Sequence, residues 1–312
     1  MGPEAIAELR RQRYNATVVA LRKPNPELMI VRVRSDFPRP DHRAGQYTTL
    51  GLGMWEPRFP GCQEEVRKPG DETKVIRRAY SISCSILDDD SKLLEIPATD
   101  WLEFYVVLVR ETADPASAPA LTPRLFMLRE GDRLQVGDRI TGHFTLEGVQ
   151  PDDTIIFLST GTGEAPHNYM LWELLTAGHR GPIISVCCVR YARDLGYTAI
   201  HERLMAMFPH YKYLALTTRE AVNAGNKIYI QDLVTSGRLE QELGHKLDPN
   251  GTHVYLCGNP AMIGMPVRDA TTGAVTYPKP PGVIEILEAG YGFRRDVKAD
   301  KFHGNIHSEE YW

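Results

Sequence analysis

The rhythm of hydrophobic and polar positions changes near residue 150. Before it the chain reads as short strands. Val31 and Val33 alternate with Arg32 and Arg34 inside the run 28–34, the period of a half-buried strand. Runs at 17–21, 46–50, 79–83, 104–109, 133–136 and 139–146 share this character, and turn residues such as Glu130-Gly131-Asp132 and Gln150-Pro151-Asp152-Asp153 separate them. So many strands in one stretch predict an antiparallel β-barrel or sandwich. Beyond Pro151 short apolar runs at 154–158, 183–189, 213–217 and 254–257 alternate with helical stretches at 166–177, 199–207 and, broken, 230–243. That alternation predicts βαβ units on a parallel sheet. The expected domains are 1–150 and 151–312. Segments 51–75 and 264–282, rich in Gly and Pro, show neither period and read as surface insertions.

Composition narrows the class. The 312 residues are 42% hydrophobic and 24% charged, as in water-soluble globular proteins. No run approaches the roughly 18–20 apolar residues of a spanning helix, and residues 1–13 lack the apolar core of a signal peptide. The cytoplasm is the expected compartment. Cys62, Cys84, Cys187, Cys188 and Cys257 are odd in number and scattered. Neither a disulfide framework, a zinc site nor an iron–sulfur motif is suggested, so no metal is expected. Residues 1–80 hold 15 Lys/Arg against 10 Asp/Glu, and the remainder 21 against 30. The basic segment 1–80 is either solvated surface or a docking face for an acidic partner, with Arg10, Arg11, Arg13, Arg22, Lys23, Arg39 and Arg43 as candidate contacts. The acidic total argues against nucleic acid.

Four segments carry candidate chemistry, each with a structural reading beside it. Ser159-Thr160-Gly161-Thr162-Gly163-Glu164-Ala165-Pro166 follows the first strand of the second half. Its glycines permit close backbone approach to an anion, or simply a tight strand–helix turn. Val254-Tyr255-Leu256-Cys257-Gly258-Asn259-Pro260 repeats the arrangement, with Cys257 where a parallel sheet binds ligands or as a small buried residue. Arg77-Arg78-Ala79-Tyr80-Ser81 offers a guanidinium for phosphate, a ring for stacking and a hydroxyl for a heteroatom, or a solvated strand face. The chain ends on Tyr311-Trp312, suited to cover an aromatic surface, whether a cofactor's or the protein's own.

Taken in order, Arg-x-Tyr-Ser, Gly-Thr-Gly-x-Ala-Pro, Cys-Gly-Asn-Pro and a terminal Tyr-Trp closely resemble the ferredoxin–NADP⁺ reductase family, nearer its bacterial flavodoxin/ferredoxin branch than its plastid one. The resemblance runs from about Thr17 to Trp312 and leaves the two insertions over. It implies a two-domain fold, an antiparallel FAD-binding barrel followed by an α/β NADP-binding domain, with the tail 303–312 returning to the flavin. It implies an enzyme that moves hydride between NADP(H) and FAD, and single electrons between FAD and an acidic ferredoxin or flavodoxin.

Residue by residue, the resemblance gives Arg78 an FAD phosphate, places Ala79 and Tyr80 along the flavin, and sets Ser81 near its N5. Tyr105 and Val107 lie on a strand along the flavin. Thr122, in Leu121-Thr122-Pro123-Arg124-Leu125, would sit near the pyrophosphate, and Thr141 makes a further contact. Pro119-Ala120 stand before that Leu-Thr where relatives commonly carry glycine. Thr162, Tyr311 and Trp312 complete the FAD set. For NADP the resemblance implies Gly161, Thr162, Gly163 and Pro166 at the pyrophosphate and nicotinamide, with Cys257, Gly258 and Asn259 opposite. Arg190, Arg219 and Lys227 would hold the adenosine end, the last two clamping the 2′-phosphate. Lys227 stands where relatives often have arginine, a point charge in place of a fork. Ser81, Cys257 and Tyr311 are the expected catalytic positions, acting by placement without covalent chemistry. Two alternatives stay open: an NADH-dependent reductase of cytochrome b5 reductase type, and an FAD-binding redox module without turnover.

Overall fold

The computed structural model of the chain describes every residue except 115, 116, 270, 298–301 and 312. Two compact units emerge from the contacts, Met1–Ser85 with Leu94–Thr145, and Ile86–Leu93 with Leu146–Trp312.

The first unit opens with a helix, α1 (Pro3–Arg13), which buries none of its side chains. Strands β1 (Ala16–Asn25), β2 (Leu28–Ser35), β3 (Tyr47–Gly53), β4 (Val75–Ser81), β5 (Leu102–Val107) and β6 (Arg133–Val136) form one antiparallel sheet in the order β4-β3-β6-β1-β2-β5. Just past β4, the Ser83 N–H donates to the Glu103 carbonyl on β5 at 2.8 Å. The two sheet edges therefore meet, and the strands close into the barrel that the alternation predicts. Val18, Met29, Val31, Leu50, Leu52, Phe104 and Leu134 are buried.

Two expectations for this unit need correction. The run 139–146 is not a strand. Only Thr141 pairs, bridging to Tyr47, because Gly142 at φ 127° turns the chain and lies against the Tyr47 ring. Segment 51–75 is not wholly irregular: β3 continues through Gly53, and the chain loops out only beyond it. The periodicity is hidden because Gly51 and Gly53 are two of its positions; a side chain at Gly53 would run into the Trp55 ring.

The loop after β3 is tied down by charge. A short helix, α2 (Thr122–Leu125), carries Arg124, whose side chain is fully buried. Its guanidinium donates to both Glu65 carboxylate oxygens, at 2.6 and 2.7 Å, and to the Met54 carbonyl at 3.1 Å. A buried arginine persists only when so paired, so the loop is part of the unit's structure.

In the second unit β7 (Thr154–Thr160), β8 (Ile183–Val189), β9 (Tyr211–Thr217), β10 (Thr252–Gly258) and a late strand β13 (Ile306–Glu310) form a wholly parallel sheet, order β13-β10-β7-β8-β9. Helices α3 (Glu164–Thr176), α4 (Thr198–Met207), α5 (Ile230–Thr235), α6 (Arg238–Leu243), α7 (Pro260–Ile263) and α8 (Val283–Tyr291) lie in the connections. Between α7 and α8 the expected insertion 264–282 holds a two-residue hairpin, β11 (Val267–Arg268) with β12 (Val275–Thr276). Ile156, Leu158, Ile184, Val186, Leu256, Ile263, Ile284 and Leu287 share one core. The strand order reverses between β7 and β10, and in open α/β sheets ligands bind beyond the carboxyl ends of the strands at such a point.

Candidate active site

Each unit brings its own set of predicted site residues. In the first, β4 carries Arg78 and Tyr80 two positions apart, opposite Leu50 and Thr48 of β3. Arg77 projects the other way and donates to Gln135 Oε1 at 2.9 Å. Arg78 is exposed, and among the described residues its only side-chain hydrogen bond goes to the Arg77 carbonyl. None of their carboxylates neutralises it, as a phosphate-binding arginine requires. Ala79 is exposed and Ser81 buried. Burial raises the Tyr80 hydroxyl, so its ring stays neutral. On β5 Tyr105 is buried, while Val107 is 42% exposed. Thr122 Oγ1 accepts from the Val109 N–H at 3.1 Å, fixing α2 to the chain beyond β5. Thr141 is exposed at its bridge to Tyr47. Exposed apolar surface, a ring and an unneutralised guanidinium on adjacent strands fit a flavin dinucleotide.

In the second unit two loops meet at the switch point. Gly161 to Gly163 form a turn of 3₁₀ helix after β7, and Cys257, Gly258 and Asn259 end β10. A Cβ on Gly163 would lie 2.3 Å from the Cys257 carbonyl oxygen, and one on Gly258 (φ 123°) 2.3 Å from Thr160 Oγ1. No larger residue fits either place. A Cβ at Gly161 would meet nothing within 4 Å, so the turn leaves open space above it. Pro166 is buried in the first turn of α3. Gly163 and Gly258 thus let the two loops pack closely, and Gly161 leaves bare backbone beside open space, which suits a dinucleotide's pyrophosphate.

The last strand brings the chain end to the same place. Cys257 pairs with Glu309 and Gly258 with Glu310, and the Tyr311 N–H donates to the Gly258 carbonyl at 2.9 Å. Burial, with Glu309 adding, pushes the Cys257 thiol well up, and a hydrogen bond with the Tyr311 side chain only partly opposes this. Cys257 is thus a neutral thiol at neutral pH and a poor nucleophile. Trp312 lies outside the described residues.

The cations expected at an adenosine phosphate sit at the ends of β8 and β9. The Arg219 N–H donates to the Arg190 carbonyl at 2.8 Å, and the Glu220 carboxylate accepts from the Ala192 N–H at 2.8 Å, so the two loops are joined. Lys227 follows in the connection to α5. Among the described residues the exposed side chains of Arg190, Arg219 and Lys227 make no hydrogen bond or ion pair.

One group escaped the sequence reading. Glu164, the variable position of Gly-Thr-Gly-x-Ala-Pro, is buried beneath the glycine turn. Its Oε1 accepts from the Tyr213 hydroxyl at 2.7 Å and lies 3.2 Å from His201 Nε2. His201 stacks on Tyr213 (4.0 Å, 10°) and reaches the Tyr211 hydroxyl through Nδ1 at 2.8 Å. Burial raises both tyrosines, which therefore remain donors. The only signal in the sequence was a carboxylate inside an otherwise uncharged, small-residue segment.

Residues 157–268 match the model of the oxidoreductase NAD-binding domain. Over 301 residues the chain is 29% identical to a flavodoxin/ferredoxin–NADP reductase of Buchnera aphidicola, covering 96% of this chain and 98% of that one. This chain is a homologue of the flavodoxin/ferredoxin–NADP reductases. The Escherichia coli reductase of the same name is 29% identical over 221 residues, 70% of this chain and 75% of its own. Among solved structures, a ferredoxin NADP⁺ reductase from Neisseria gonorrhoeae with bound FAD and NADP shares the fold at TM-score 0.64 and 21% identity, covering 96% of this chain and 98% of that one. A ferredoxin–NADP⁺ reductase from Plasmodium falciparum with 2′P-AMP does so at 0.63 and 16%, covering 97% of each. Their shared architecture is the antiparallel barrel followed by the parallel α/β sheet.

Proposed function

We infer that this flavodoxin/ferredoxin–NADP reductase homologue is itself an FAD-dependent oxidoreductase that takes hydride from NADPH and delivers electrons singly to a ferredoxin or flavodoxin. The observation carrying the inference is the glycine-laced crevice where β7 and β10 part, closed on one side by Tyr311 and Cys257. Bound FAD would supply the conversion between a two-electron hydride and single electrons. The protein's part is placement. Arg78 would pair with an FAD phosphate, and Tyr80, Val107 and Ser81 would line the flavin, with Thr122 and Thr141 at its edges. The bare backbone of Gly161–Gly163 would receive the NADP pyrophosphate, and the neutral Cys257 thiol would pack on the nicotinamide without reacting. Tyr311 would cover ring surface and give way when nicotinamide stacks.

Arg219 and Lys227, both without a partner among the described residues, support NADPH over NADH. The partner's charge is the finer part of the proposal. Of the basic residues named for docking, Arg10 is committed to Glu56, Arg11 to Glu8, Lys23 to the Phe126 carbonyl and Arg39 to Thr99. Arg13 and Arg43 remain the better candidates for an acidic partner. Five free cysteines suit a reducing compartment, and we propose the cytoplasm. Among the described residues no helix is long and apolar enough to cross a membrane. Anaerobic titration of the purified protein with NADPH tests the reading: the flavin absorbance should bleach, and added ferredoxin or flavodoxin should restore it. A flavin-free protein, or one reduced faster by NADH, would overturn it.

A further inference from the structure

Behind the crevice, on one face of the same sheet, lies a line of four titratable groups that the proposed reaction does not use. His307 on β13 stands in register with Tyr255 on β10 and stacks on it (4.5 Å, 25°). His253, two residues earlier on β10, holds its ring nearly parallel to that of His307 (5.5 Å between centroids, 12°). His307 Nδ1 is 2.8 Å from Asp296 Oδ2, His307 Nε2 is 3.2 Å from His253 Nδ1, and His253 Nε2 is 3.3 Å from Asp153 Oδ2. Every ring nitrogen thus faces one partner, and the order is carboxylate, imidazole, imidazole, carboxylate.

Counting protons gives this line an unusual property. Three gaps separate the four groups, and each gap accommodates one proton. Two imidazoles carry at least one proton each. Three protons fill all gaps and make one ring cationic between two carboxylates. A fourth proton makes both rings cationic and sets N–H against N–H in the 3.2 Å gap, where a bond becomes a repulsion. The two rings therefore titrate as a pair, not as separate sites. Burial and the charge of His307 both lower His253 and so oppose the fourth proton there, although the Asp153 and Asp296 charges work the other way. The bond and charge of His307 hold Asp296 below the ordinary carboxylate range despite its burial, so that carboxylate stays ionised beside His307. Other titratable groups facing the line are Tyr255 on β10, Glu173 on α3 and His303 beside Asp296. His179 is near as well, its Nε2 2.9 Å from the Asp153 carbonyl.

The line is one of the ties that hold β13 to the sheet, and β13 leads straight to Tyr311. We infer that His253 and His307 are positioning residues for the C-terminal strand, seating Tyr311 against Gly258 while the pair carries a single positive charge and loosening that seat when both rings are protonated. The inference rests on the proposed reading only for the consequence at the nicotinamide; the docking of the strand stands without it.

Hydrogen–deuterium exchange of the full-length protein at pH 7.5 and 5.5, corrected for intrinsic rates, tests it. Amides of 306–311 should lose protection by about tenfold or more at pH 5.5, the equivalent of one pK unit of coupling, while the β7–β8 amides hold theirs. In His253→Phe, which keeps an aromatic ring and removes the second charge, protection should stay flat with pH. Equal losses in wild type and variant, or no loss in wild type, would overturn the inference. Should His253→Phe fail to fold, the histidine C2–H resonances of the wild type decide: two separated, coupled titrations support the pair, and independent single-site curves refute it. In flavin-loaded protein the pH profile of NADPH oxidation should shift with the exchange. A protein that binds no flavin would break the proposed function and leave the exchange result intact.

Discussion

Thr160 and Asn259 lie 99 positions apart and share one hydrogen bond, from the Asn259 N–H to Thr160 Oγ1 at 2.7 Å. That bond joins the loop after β7 to the loop after β10 and holds the crevice at its width. Thr160→Val keeps the shape and removes the acceptor. The orphaned N–H costs about 1 kcal/mol, so NADP⁺ should bind about fivefold more weakly. Difference-spectrum titration measures this, and unchanged affinity would show that the loops hold without the bond.

Selectivity between the two nicotinamide cofactors should reside in Arg219 and Lys227, whose charges no group among the described residues neutralises. Arg219→Ala and Lys227→Ala should each raise KM for NADPH by about tenfold or more, as a lost charge-assisted bond of about 1.5–3 kcal/mol requires, and leave KM for NADH nearly unchanged. Lys227→Arg should sharpen the preference. Steady-state kinetics with both reductants would expose the opposite result, equal effects on each.

The buried carboxylate beneath the glycine turn depends on Tyr213. Tyr213→Phe deletes the hydroxyl 2.7 Å from Glu164 Oε1 and should lower stability by about 1–3 kcal/mol, read from the urea midpoint. No change in midpoint would mean that His201 alone satisfies Glu164.

His167 gives stability a pH dependence. It is buried on α3 against Phe157 (4.9 Å), and burial pushes its imidazole down to about 3. Unfolded, it titrates near about 6.5. Between these values the unfolded chain binds the extra proton, so stability falls as pH drops from about 6.5 toward 3. His167→Phe should lessen that fall, seen as a smaller difference in urea midpoint between pH 7 and pH 5. An identical difference would assign the acid sensitivity to other buried histidines.

Thiol chemistry should separate the cysteines. Cys62 is partly exposed, and the other four are buried, Cys187, Cys188 and Cys257 with raised thiols. One equivalent of a disulfide reagent should react rapidly at pH 8, and none in Cys62→Ser. Fast modification of Cys257 would contradict its proposed role as a neutral, positioning thiol.

Local physics made much of this protein legible in its sequence. Alternation at Val31 and Val33, the broken helix at 230–243 and the glycines at 161 and 163 state conformations that a few neighbouring residues dictate, so the barrel, the parallel sheet and the two loops of the crevice could be read directly. Ile306–Glu310 could not. Its sequence, Ile-His-Ser-Glu-Glu, has no strand character of its own and becomes β13 only because β10 offers it an open edge. The same holds for Glu164, whose role depends on Tyr213 and His201 arriving from β9 and α4, and for the line from Asp153 to Asp296, assembled from four separate segments. Sequence determines what neighbours along the chain impose on one another. Which distant donor meets which acceptor is decided by packing, and in this protein packing decides how the last strand is seated against the crevice.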